Sequence, residues 1–257
     1  MLSYNKIYSF DVFEFLGQLP ESSVDLAIID PPYNLKVAGW DSFKSEQEFL
    51  EFSYAWIDAL LPKLKPTASF YIFNTAYHCA LFLAYLQGKA CFRNWITWHK
   101  KDGFANARKK FNNASESILF YTLSEQYTFN CDAIRTPYDS TARMQAAAKK
   151  GILKNGKRWY PNPNGKLCTD VWHISSQRHQ EKIKGRLVKP KHPTIKPYDL
   201  IERMVKASSL SQDVVLDLFA GSGIGLEVCQ NLDRLYLGTD INHHELKSHE
   251  SKVLATG

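Results

Sequence analysis

The chain has 257 residues, 44% of them hydrophobic and 23% charged, which suits one large α/β domain or two small ones with a sizeable core. Its five cysteines are widely spaced without a CxxC pair, so neither a disulfide framework nor a zinc site is indicated, and no metal is expected. No run of about 18 apolar residues and no signal-peptide layout occur, so no membrane role is expected and a reducing cytoplasm is the simplest compartment.

In chain order, Val24–Asp30 is a strand candidate. "SEQEFLEFSYAWIDALLPKL" predicts a helix with an apolar face, opened by a capping box between Ser45 and Glu48. "ASFYIFN" is a further strand. "FRNWITWHK" and "SESILFYTL" are two more, joined by the basic loop "KKDGFANARKKFNN". Residues 131–190 are turn-rich and give no clear fold. From 197 on, helix "PYDLIERMVKAS", strand "VVLDLFA", a glycine turn, helix "GLEVCQNL" and strand "RLYLGTDI" restore an α/β rhythm. Strands spaced by helices predict a doubly wound, mostly parallel sheet covered on both faces.

The net charge of +6 is unevenly spread. Arg143–Lys196 holds 14 basic and 2 acidic residues, leaving 18 basic and 24 acidic elsewhere. The basic run is interleaved with Trp159, Tyr160 and Trp172 and with Asn and Gln, a mixture that fits a nucleic-acid surface better than plain solvation.

Two stretches carry chemistry. In "AIIDPPYNL" the apolar strand runs into Asp30, Pro31, Pro32 and Tyr33. The prolines cannot donate to a ladder, so the strand must stop, leaving a stiff corner that presents one carboxylate and one aromatic ring. In "VVLDLFAGSGIG" a strand enters a turn at Gly221, Ser222 and Gly223, and Asp240 follows Gly221 by 19 residues at the end of the next strand candidate. Glycines let a ligand approach the backbone, and that spacing suits a carboxylate accepting from ribose hydroxyls. GxGxxG is absent, as is the GK[ST] of a phosphate loop, and Asp217 stands before the turn. Acids rather than Lys or Arg fit a ribosyl sulfonium with an ammonium group, S-adenosylmethionine, better than NAD or ATP.

Together "DPPY" and "DLFAGSG" resemble the signature pair of the amino-methylating DNA methyltransferases, which methylate exocyclic amines of adenine or cytosine. The order, DPPY first, then the basic region, "HPTIKP", and the glycine turn, resembles the beta class, a circular permutation, and spans nearly the whole chain. "GILKNGKRWYPNPNG" and "SSQRH" are similar to the adenine-N6 methylases of type IIS restriction systems. One departure stands at Ile224 and Gly225, where relatives usually have two threonines.

The resemblance implies a discontinuous catalytic domain, 1–130 and 191–257, and a target-recognition region, 131–190. It implies S-adenosylmethionine as methyl donor, duplex DNA as substrate, a restriction endonuclease of the same specificity as functional partner, and a possible homodimer. Asp30, Pro31, Pro32 and Tyr33 would then be catalytic, acting on a base flipped out of the duplex. Asp11, Asp30, His192, Thr194, Lys196, Asp217, Phe219, Gly221, Ser222, Gly223, Asp240 and Asn242 would line the cofactor, with Asp11 near its adenine and His192, Thr194 and Lys196 toward its methionine carboxylate. Lys100, Lys101, Arg108, Lys109, Lys110, Lys154, Lys157, Arg158 and Arg178 would meet DNA. Phe111 is expected to pack in the core, with stacking on the flipped base as the rival. The alternatives are transfer to cytosine N4 or to a protein glutamine amide, and a non-catalytic DNA-binding subunit of the same fold.

Overall fold

The computed structural model describes residues 2–100, 108–176, 181–183, 186–188 and 195–241. Its strands are β1 (Lys6–Tyr8), β2 (Val24–Ile29), β3 (Leu64–Asn74), β4 (Cys91–His99), β5 (Ser115–Thr122), β6 (Ile152–Lys154), β7 (Lys157–Trp159), β8 (Val171–His173), β9 (Glu181–Ile183), β10 (Arg186–Val188), β11 (Val214–Asp217) and β12 (Leu235–Thr239). The α-helices are α1 (Val12–Gln18), α2 (Glu46–Leu60), α3 (Ala76–Tyr85), α4 (Thr141–Lys150), α5 (Tyr198–Ser208) and α6 (Ile224–Asn231).

Eight strands form one sheet in the order β1-β12-β11-β2-β3-β5-β4-β8. Pairing is parallel from β1 through β3, antiparallel on both sides of β5, and parallel again between β4 and β8. The expected mostly parallel, doubly wound α/β sheet is therefore present. Period-2 alternation divides the core. Ala27, Ile29, Phe70 and Ile72 face one side and pack with Phe15, Phe49, Trp56 and Phe82 of α1, α2 and α3. Leu26, Ile28, Tyr71 and Phe73 face the other and pack with Leu200, Met204 and Val228 of α5 and α6. Coverage on both faces explains why β2 reads as a continuous apolar run.

Local signals acted largely as their chemistry dictates. Ser45 caps α2, its hydroxyl accepting from the Glu48 N–H at 3.0 Å, while the Glu48 carboxylate accepts from Lys44 N–H rather than Ser45 N–H. The helix ends at Leu60, before Pro62, so the final "LPKL" belongs to a 3-10 turn and the start of β3. The basic region, unreadable in sequence, contains α4, the hairpins β6–β7 and β9–β10, and β8. It is not separate from the sheet, because β8 extends the edge beside β4. Trp172 lies in that strand, 5% exposed with the Arg203 guanidinium 5.0 Å from its ring centroid, so its expected place on a nucleic-acid surface is corrected. Phe111 is 97% exposed, which overturns the core expectation.

Candidate active site

β2 and β11 are adjacent, with Leu216 opposite Ala27, so Asp30 and Asp217 emerge side by side although 187 positions separate them. Carboxyl ends of neighbouring parallel strands are where open α/β sheets bind ligands. A cavity of about 820 Å³ opens there, lined by the whole Asp30–Tyr33 corner and by Asp217–Ser222. Asp11, Glu116, Lys196 and Asp240 also line it. The proline corner and the glycine turn share one space.

On the acceptor side β2 stops at Ile29, as the prolines require. The Tyr33 hydroxyl lies 2.9 Å from Asp30 Oδ1 and 3.2 Å from Glu116 Oε2. Lys196 Nζ is 2.7 Å from Asp30 and 3.5 Å from Glu116, with the Tyr33 and Phe73 rings 5.3 and 5.1 Å away. Lys100 pairs with Glu116 from the other side. Burial alone would raise the Glu116 pKa, but Lys196 and Lys100 outweigh it and hold the carboxyl below its ordinary value. Burial likewise opposes the Lys196 charge, and Asp30 and Glu116 outweigh that too. Burial, then the neighbouring carboxylates, push the Tyr33 phenol well above its usual range, so the ring remains neutral.

The loop after the corner wraps around one buried carboxylate. Asp41, 1% exposed, accepts from the backbone N–H groups of Tyr33 (2.6 Å), Asn34 (2.9 Å), Leu35 (2.9 Å) and Val37 (3.3 Å). That satisfies donors which the turn leaves unpaired. From behind, Asn74 Nδ2 donates to the Pro32 carbonyl at 3.5 Å, and Asn74 Oδ1 lies 3.0 Å from His78 Nδ1.

On the other side β11 delivers Asp217 to the glycine turn. Gly221 and Gly223 have positive φ, 47° and 82°, and Gly223 caps α6 in the left-handed region. Asp240 Oδ2 accepts from Gly221 N–H at 2.9 Å, tying the end of β12 to the turn. Asp217 accepts from Phe219 N–H at 3.2 Å and from the Tyr236 hydroxyl at 3.1 Å. These bonds favour its ionised form, yet burial outweighs them, and with Asp30 and Asp240 pushes its pKa up to about 7.

The expected residues fall into four groups, apart from Gly223, which shapes the turn without lining the cavity. Asp11, Asp30, Pro31, Pro32, Tyr33, Lys196, Asp217, Phe219, Gly221, Ser222 and Asp240 all line the cavity. Asp11 also caps α1, accepting from Phe13 and Glu14 N–H, both at 2.8 Å. Lys154, Lys157 and Arg158 sit on the exposed β6–β7 hairpin, and Arg108, Lys109 and Lys110 are exposed. Lys100 instead pairs with Glu116 and lies over Trp98, which corrects its expected place as a free phosphate contact. Lys101, Arg178, His192, Thr194 and Asn242 lie outside the described residues. Glu116, Asp41 and Tyr236 were missed. For Glu116 a signal existed, since it alternates with the buried Ile118 and Phe120 and so belongs on a core face.

A family model described as DNA methylase, of N6/N4 type, matches residues 24–251. The chain belongs to this family. Among curated relatives of this methylase, the type II methyltransferase M1.MboII of Moraxella bovis is 54% identical over 243 residues, covering 94% of each chain. The type II methyltransferase M.HpaI of Haemophilus parainfluenzae is 33% identical, over 93% of this chain and 70% of its own. Among solved structures, a cytosine-N4-specific PvuII DNA methyltransferase superposes with a TM-score of 0.69 at 16% identity, over 94% of this chain and 83% of its own. An M1.HpyAVI–SAM complex does so at 0.56 with 23% identity, over 91% and 92%. These two likenesses speak to the fold.

Proposed function

We propose that this methylase transfers a methyl group from S-adenosylmethionine to the N6 amine of an adenine flipped out of duplex DNA, as the modification partner of a restriction endonuclease. The observation that carries the reading is the single cavity shared by the Asp30–Tyr33 corner and the glycine turn. Its residues suit the cofactor: Asp217 and Asp240 accept from ammonium and hydroxyl groups, while Phe219 and Phe10 offer aromatic faces. When bound, S-adenosylmethionine supplies an electrophilic methyl on a sulfonium.

The chain's own residues then prepare the acceptor. An exocyclic amine is a poor nucleophile because its lone pair is delocalised into the ring. Asp30 accepts one amine N–H and the Pro31 carbonyl a second, which favours a tetrahedral nitrogen with a directed lone pair. Tyr33 stacks on the base, an interaction worth about 1–3 kcal/mol. The prolines and the Asp41 clamp fix these groups before substrate arrives, so little reorganisation remains. Lys196 Nζ bonds to Asp30 at 2.7 Å, and the carboxylate keeps lone pairs for the amine beside it. The exposed hairpin Ile152–Trp159, with Lys154, Lys157 and Arg158, supports a basic surface that reads DNA through the major groove.

Asp rather than Ser before the two prolines favours adenine over cytosine N4. Oligonucleotides methylated with labelled cofactor and digested to nucleosides should place the label on adenine; label on cytosine alone overturns that assignment. Asp30→Ala should slow single-turnover methylation at saturating cofactor about 100-fold or more.

A further inference from the structure

Tyr236 is fully buried on β12, and its hydroxyl donates at 3.1 Å to Oδ2 of Asp217, which lines the cavity. The phenol occupies a slot that two glycines keep open. A Cβ at Gly238 would stand 2.5 Å from the Tyr236 hydroxyl oxygen and 2.7 Å from Cε1. A Cβ at Gly225 would stand 3.0 Å from both Asp217 Oδ2 and Tyr236 Cε2. Neither glycine lies among the positive-φ positions, so the backbone does not demand them; the space does. Three residues on two elements, α6 and β12, are thus committed to putting one hydroxyl on one carboxylate oxygen.

We infer that Tyr236 is a positioning residue for cofactor binding, its hydroxyl fixing the Asp217 carboxylate at the cavity so that it receives the ammonium group of the methyl donor. The inference rests on S-adenosylmethionine as ligand. Around Asp217 the carboxyls of Asp30, at the end of β2, and Asp240, after β12, disfavour its charge, and the Cys229 thiol of α6 also senses it. Against them stand the Phe219 N–H and the Tyr236 O–H. Removing the hydroxyl leaves burial and two carboxylates opposed by a single N–H. Asp217 then ionises only at higher pH, and cofactor affinity rises only there.

The test is calorimetric titration of S-adenosylmethionine into the full chain between pH 6 and 9, for wild type, Tyr236→Phe, Asp217→Asn and the double variant. Tyr236→Phe keeps the ring in its slot and should fold, which circular dichroism checks. Its affinity at pH 7 should fall about tenfold or more, with the pH midpoint for binding displaced upward. In steady state the loss should fall on the cofactor KM more than on kcat. In the Asp217→Asn background the same substitution should add nothing. Unchanged affinity and pH profile in Tyr236→Phe would overturn the inference. So would an equal loss with and without Asp217, which would mean that Tyr236 acts by packing. Failure of the wild type to bind S-adenosylmethionine would instead sink the cofactor reading.

Discussion

Asp217 ties binding to stability with a definite sign. Its folded-state pKa of about 7 lies above the value of roughly 3.9 for an unperturbed aspartate, so the folded chain holds this proton more tightly than the unfolded one. Stability from this group is present below pH 4 and lost as pH rises toward 7, a change on the order of 4 kcal/mol. Asp217→Asn should therefore flatten the fall in unfolding free energy between pH 5 and 8, measured by urea titration, while weakening cofactor binding. An unaltered slope would show that Asp217 does not titrate in this window. Asp217, Asp30 and Tyr33 were legible in sequence because strand ends and prolines mark them. Tyr236 was not, because "RLYLGTDI" shows an aromatic in a strand and nothing of what its hydroxyl meets. Gly225, where the family resemblance departs from its usual threonine, is one of the two positions that make room for that ring.

Between residues and molecule stand the loop 33–42 and the β6–β7 hairpin. Asp41→Ala would leave four backbone N–H groups without their acceptor, and a cost of about 2–4 kcal/mol is expected even though water can recover some of them. Methylation should fall further than stability alone explains, since Tyr33 N–H is among the four. Unchanged denaturant midpoint and rate would contradict the clamp. On the hairpin, Lys154→Ala with Lys157→Ala should weaken DNA binding across sequences and lower the salt slope by about 2, read from log Kd against log salt concentration. An unaltered slope would remove the hairpin from the interface. The charge here was read in the sequence and the hairpin was not, although Asn155-Gly156, with φ of 52° and 74°, is the usual signal of a two-residue hairpin turn. Three paired residues per strand gave periodicity nothing to show. Asp41 was equally hidden, because a lone acid in "GWDSF" reads as an ordinary turn residue until its four donors converge on it.

At the scale of the molecule, alternating strands and helices made the α/β class readable, since each strand announced a buried run and each helix an apolar face. Long-range order was less readable. The antiparallel entry of β5 between β3 and β4, and the addition of β8 at the edge, depend on pairings no local signal encodes. The hydrophobic split between the two sheet faces, by contrast, followed from period-2 alternation within each strand. The placement of β11 between β2 and β12 has a temporal side. A growing polypeptide carries its amine-accepting corner from residue 30 onward, but the wall facing it is made about 190 positions later, and β12 must then close against β1. A chain cut short before β11 lacks the cofactor wall and should transfer no methyl group, so competence is expected only late in synthesis.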